Sequence, residues 1–173
     1  MTFEKKILAE MPKCYALGMF EGEDTPSFLA AVEKDGPIRR FTLDGEPLET
    51  VAPGPGGVMT ITQVPGRKDQ FLATRKFFSP NFGGDDAAIA SYTKQADGSW
   101  SEQILCDLPY VHRFGILKAA DGQLWVLACS IKGGAETGVK DDWRTPGAVW
   151  AAPLSDNLEQ YTADNQLKLT CVA

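Results

Sequence analysis

An all-β protein built from repeated four-stranded antiparallel units is the fold class this sequence predicts, on three observations. Seventeen glycines and eleven prolines are spread along the 173 residues. They cut the chain into short segments rich in Val, Ile, Phe, Trp and Thr, the composition of strands between turns. Asp-Gly recurs at Asp35-Gly36, Asp44-Gly45, Asp97-Gly98 and Asp121-Gly122, a pair that accepts the positive φ of tight hairpin turns. Finally, ILAEMP (Ile7–Pro12), LETVAP (Leu48–Pro53) and ILCDLP (Ile104–Pro109) share one plan: a strand-like piece ends in proline, a turn follows, and a new apolar strand begins. No long segment places apolar residues at helical spacing.

Taken in order, the elements fall into three units. Residues 13–53 hold CYALGMF, SFLAAVE, PIRRFTL and PLETVA; residues 54–109 hold VMTITQV, QFLATRK, AIASYTK and SEQILCD. Residues 110–173 hold FGILKAA, QLWVLACSI and GAVWAAPL, with an outer strand expected within Leu158–Val172. The Asp-Gly pairs join FLAAVEK to PIRRFTL and FGILKAA to QLWVLACSI as hairpins. Recurrence at about 50 residues is near the spacing of propeller blades.

This order of strands and turns resembles a β-propeller of four-stranded blades over nearly the whole chain. The resemblance is one of strand order; the WD dipeptide and kelch motifs are absent, so it names no subfamily. The alternative is a β-sandwich with evenly spaced hairpins. In the propeller reading, residues 1–12, with Phe3–Met11 at their centre, form the outer strand of a closing blade rather than a helix. Three blades leave an open arc, because propellers typically have about 4–8. Two completions are expected: this is the N-terminal part of a longer protein, the reading that the apolar ending LKLTCVA favours, or a homo-oligomer completes the propeller, two copies giving six blades.

Composition narrows the partners. The net charge is −6, with no basic run to neutralise phosphates, so nucleic acid is not an expected partner. No apolar run approaches the ~20 residues of a membrane helix, and charges occupy the start where a signal peptide is apolar; no membrane association is expected. Cys14, Cys106, Cys129 and Cys171 form no C-x-x-C pair, and there is one histidine, which argues against structural zinc. Cys14, Cys106 and Cys129 lie in apolar runs and read as buried reduced thiols, and the expected compartment is the cytoplasm.

Because successive strands reverse direction, connections from outer to next inner strand and from second to third strand emerge on one face. That face collects APGPGG (52–57 with its flanking alanine), DLPYVHR (107–113), FFSPNFGGDD (77–86) and KGGAETGVKDDWRTP (132–146). Long loops on a rigid scaffold are where binding groups usually sit. His112 is the candidate catalytic group, as acid, base or metal ligand. Arg113 suits a carboxylate or phosphate. Asp141 and Asp142 suit a cation or sugar hydroxyls, Trp143 a stacked sugar ring, and Arg144 an anion. Arg75 and Asn81 are further ligand-binding candidates, beside Lys76, Phe78, Asp85 and Asp86. APGPGG lacks the strand–loop–helix context of a phosphate cradle.

Three functions are in view. The first is a ligand-binding module for a small polar molecule, above all a carbohydrate. The second is a metal-assisted lyase or hydrolase acting on a sugar or hydroxy acid, with a divalent cation as cofactor. The third is a protein-interaction scaffold. No G-x-S-x-G occurs, so no hydrolase triad is expected, and the inner strands carry no carboxylate pair for glycoside hydrolysis.

Overall fold

The computed structural model describes residues 3–78, 83–133 and 143–173. The described residues form three four-stranded antiparallel sheets and a single short 3₁₀ turn at Leu158–Gln160. Sheet 1 comprises β1 (Cys14–Glu21), β2 (Pro26–Val32), β3 (Ile38–Thr42) and β4 (Pro47–Ala52). Sheet 2 comprises β5 (Ile61–Gln63), β6 (Gln70–Arg75), β7 (Ala88–Lys94) and β8 (Trp100–Asp107). Sheet 3 comprises β9 (Val111–Lys118), β10 (Leu124–Lys132), β11 (Pro146–Pro153) and β12 (Thr170–Cys171). Within each sheet, spatial order equals chain order. No described helix is long and apolar enough to cross a membrane.

The alternation in each strand decides which sheets meet. In β6, Phe71 and Ala73 face one way, into a cluster with Ala16, Phe20, Leu29 and Ile38 of sheet 1. Leu72 faces the other way, into a cluster with Phe114, Val126 and Ala128 of sheet 3. Successive strand residues point to opposite faces, so sheet 2 lies between the other two and packs one face on each. Gly18 of β1 lets the first strands of sheets 1 and 2 approach closely: a Cβ there would stand 2.8 Å from Ile61 Cγ2.

Turn chemistry differs in detail from the two-residue primed hairpins expected at Asp-Gly. At three of the four sites the glycine N–H closes a four-residue turn, Gly45 to Thr42 O, Gly98 to Gln95 O and Gly122 to Ala119 O, each at 2.9 Å. Only the glycine of each pair has positive φ. The aspartate instead sits within an ordinary turn, and the left-handed glycine re-aligns the strands, as in three-residue hairpin loops.

A second turn recurs where proline precedes a first strand. Cys14 N–H donates to Met11 O across Pro12-Lys13, and Val111 N–H donates to Leu108 O across Pro109-Tyr110. Lys13 and Tyr110 have φ of 55° and 58°. Proline at the second position and positive φ at the third define a type II turn, which normally carries glycine third. Lys13 O then accepts from Glu33 N–H, and Tyr110 O from Ile131 N–H, so each turn is anchored to the end of the second strand.

Residues 3–11 form no strand with the described sheets; Ile7, Leu8, Ala9 and Met11 line a cleft with Leu17, Phe28 and Phe41 on the outward face of sheet 1. One expectation is corrected. Cys14 is exposed and Cys129 half-buried, while Cys106 is buried as expected; all four cysteines are free thiols. Cys14 lies on the edge strand β1 and lines the cleft beneath Ile7 and Leu8, which covers it only in part.

Candidate functional site

The type II turn at Pro109-Tyr110 sets the site. It buries the Tyr110 side chain completely and delivers His112 and Arg113 at the start of β9. A non-glycine residue at positive φ is strained, and such strain persists only where surrounding contacts enforce it. Here the contacts are specific. The Tyr110 hydroxyl donates to Asp85 Oδ2 at 2.9 Å, and its ring meets Phe77 edge-on. Burial, followed by the Asp85 hydrogen bond, pushes the phenol pKa up to about 12, so Tyr110 is a permanent donor near neutral pH.

His112 packs edge-on against Phe77 and Tyr15, with ring centroids 5.2 and 6.2 Å away. Its Nε2 is 3.5 Å from the Tyr15 hydroxyl, and its carbonyl accepts from Thr60 Oγ1. Burial first, and the neighbouring Arg113 charge second, hold the imidazole pKa below its usual value. His112 is therefore mainly neutral at pH 7, with one ring nitrogen donating and the other accepting. Arg113 lies over the Tyr15 ring at 5.3 Å, and one arm donates to the Met59 carbonyl and the other to Tyr15 at 3.4 Å. Tyr15 comes from β1, Met59 from the approach to β5 and His112 from β9, so the beginnings of all three sheets meet at one place.

Lys132, at the end of β10, extends the cluster outward. It is fully buried, with Nζ 4.3 Å from the Tyr110 ring centroid and 5.1 Å from that of Trp143. Tyr110 thus bridges His112, through Phe77, to Trp143, through Lys132. The other sequence candidates are placed differently. Arg144 is exposed beside Trp143. Arg75 ends β6 and pairs with Glu102 of β8. Asn81, Asp141 and Asp142 lie outside the described residues. The sequence reading missed Tyr15, Phe77, Tyr110 and Lys132; the proline before Tyr110, repeated before Lys13, is the signal that marked the turn.

The glycines of APGPGG serve structure. Gly57 N–H donates to Lys34 O, and Gly56 and Gly57 carbonyls accept from Lys76 and Phe77. The loop thereby wedges between β2 and β6, and its backbone is committed to those partners.

A different polar cluster occupies the opposite strand ends. Arg40 is 1% exposed. Its five N–H groups go to Ser27 Oγ, Asp24 Oδ1 and Oδ2, Glu49 Oε1 and the Thr25 carbonyl. Glu49 also accepts from Lys94 Nζ and Trp100 Nε1 of sheet 2, each at 2.9 Å. Burial raises the Glu49 pKa, but the Trp100, Lys94 and Arg40 bonds outweigh it and hold the carboxyl below its ordinary value. A cleft of about 440 Å³ opens beside this cluster. A guanidinium with every donor used has none to offer a ligand, so Arg40 acts as a clasp between hairpins and sheets. Among the described residues no group of three His, Cys, Asp or Glu is placed to hold a metal ion.

No family model matches the chain, and no curated protein matches it. Among solved structures, hydrazine synthase from Kuenenia stuttgartiensis aligns with a TM-score of 0.54 at 10% sequence identity, covering 90% of this chain and 41% of that one. The likeness is one of fold, and the chain spans about two fifths of the length of the structure it matches.

Proposed function

We propose that the three sheets are consecutive blades of a β-propeller and that the rim around Tyr15, His112 and Arg113 binds a small polar ligand, best matched by a sugar carrying a carboxylate. The observation that carries this reading is the meeting of Tyr15 from sheet 1 with His112 and Arg113 from sheet 3 at the first residues of their strands. Innermost strands that converge in this way supply a shared mouth, which is what a fan of blades provides and a two-layer sandwich does not.

The chemistry of the mouth favours a hydroxylated anion. Arg113 is exposed and its two hydrogen bonds leave guanidinium N–H groups directed at solvent, suited to a carboxylate. The neutral imidazole and the Tyr15 hydroxyl can each exchange hydrogen bonds with hydroxyls. Half-exposed Trp143 offers a flat apolar surface for a sugar ring. Calorimetric titration with glucuronate and with glucose tests this. Saturable glucuronate binding that weakens at least tenfold in Arg113→Ala, and is unchanged in Arg75→Ala, is expected. Equal binding by Arg113→Ala, or no saturable binding of either sugar, would overturn the reading.

A further inference from the structure

Among the described residues, most exposed large apolar side chains gather on two sheet faces. Leu17, Met19, Leu43 and Leu48 cluster on or beside the outward face of sheet 1, and Leu117, Trp125 and Leu127 on the outward face of sheet 3. Leu17 and Met19 are 66% and 61% exposed, and Leu117 is 54% exposed. Among the described residues, β5–β8 contribute no exposed large apolar side chain. Monomers rarely leave such contiguous patches open.

These two faces are of the kinds that already pack twice inside the chain. Sheet 1 places its inner face on one side of sheet 2, and sheet 2 places its other side on sheet 3. What remains open is the back of the first sheet and the front of the last. A junction of the last sheet with another first sheet would therefore repeat an interface the molecule has built already. We propose that the occupant is a second copy of this chain: sheet 3 of each protomer packs on sheet 1 of the other, and a twofold axis closes six sheets into a ring. This rests on the radial arrangement proposed above.

The size is adequate. Four strands ~4.8 Å apart and about seven residues long at ~3.3 Å each present a face of roughly 440 Å². Two junctions cover four such faces, roughly 1,800 Å², within the range of stable dimers. Ile7 and Leu8 lie over part of sheet 1, so the incoming sheet meets their side chains together with Leu17 and Met19. Closure also brings the Tyr15, His112 and Arg113 of both protomers around one axis, so the dimer presents two copies of the mouth to the same channel.

Light scattering after size exclusion, with the protein at about 50 µM, is the first test, and a mass twice the 18.8 kDa chain is expected. Leu17→Lys and Leu127→Glu change opposite ends, and each alone is expected to give monomer. Their equimolar mixture recovers the two-chain mass, because one of its two junctions is untouched. Met19→Lys with Leu117→Glu repeats the test at independent positions, and far-UV circular dichroism confirms folding. A monomeric wild type, a dimer surviving either single change, a mixture that fails to recover, or open polymers would each overturn the ring. A monomer that still binds glucuronate would do so while leaving the ligand reading intact.

Discussion

Removing the Glu49 carboxylate separates sheets 1 and 2 at their clasp, and the cost can be worked from its contacts. Glu49 accepts from Arg40, Lys94 and Trp100, each at 2.9 Å, and its side chain is 22% exposed. Hydrogen bonds to charged groups contribute about 1.5–3 kcal/mol each, but these three are coupled and do not add. Arg40 keeps Asp24, and Lys94, partly exposed, regains water; Trp100 loses its acceptor. Glu49→Ala is therefore expected to cost about 2–4 kcal/mol, less than the upper range for breaking a fully buried pair. With a urea slope of about 2 kcal/mol/M, the midpoint falls by about 1–2 M. Glu49→Gln, which keeps the shape without the charge, should fall between. The folded pKa lies below the unfolded one, so this stabilisation is complete above the unfolded value and lost as pH falls through the folded value. Wild type and Glu49→Ala should thus converge in acid. A midpoint shift under about 0.25 M at pH 7, or a difference as large at pH 3 as at pH 7, would refute the clasp.

His112 has a folded pKa below the unfolded ~6.5, so its contribution is complete above that value and declines as pH drops below it; His112→Gln should flatten stability between pH 5 and 7, checked by urea midpoints. The single imidazole should titrate in proton NMR below 6.5, moving up in Arg113→Ala while burial keeps it short of the free value. Thiol titration of the native protein should find Cys171 fast, Cys14 slower because burial raises its pKa, and Cys106 unreactive until unfolding, its thiol held near pKa 12 by burial and the Asp107 charge. Gly57→Ala should destabilise by at least about 1 kcal/mol, because Gly57 has φ of 67° and a Cβ there would lie 2.4 Å from Phe77 N; thermal melting reads it.

The strands were legible because short apolar runs and the turn residues that bound them are local signals. FLAAV and WVLACS are such runs, and proline marks where a new sheet begins. The candidate site was legible in part: His112 and Arg113 open a strand just after a turn, Trp143 lies in a loop, and all three advertise their chemistry. Tyr15 and Lys132 did not, because each lies in a strand whose neighbours read as core, and only the packing of sheets brings them to the mouth. The Arg40 clasp was invisible for the same reason, since Asp24, Glu49, Lys94 and Trp100 are far apart in sequence. The strand-like composition of Phe3–Met11 says nothing about which edge it would pair with, and none of the described sheets includes it. The ion pair of Arg75 with Glu102 was equally hidden, because the two stand 27 positions apart on different strands.

The two internal boundaries are made of unlike materials. Between sheets 2 and 3 the filling is apolar and continues into Leu154, Leu158 and Leu167 of the closing segment, whereas between sheets 1 and 2 an ionic knot flanks the aromatic pairs of Phe20, Phe71 and Trp100. Acid acts on the second throughout, by protonating the carboxylates of its ion pairs, and on the first only at its rim, where His112 packs on Phe77. Falling pH should consequently loosen the amino-terminal third through its whole depth while the apolar filling behind Tyr110 stays zipped, giving this small protein a preferred direction of undoing.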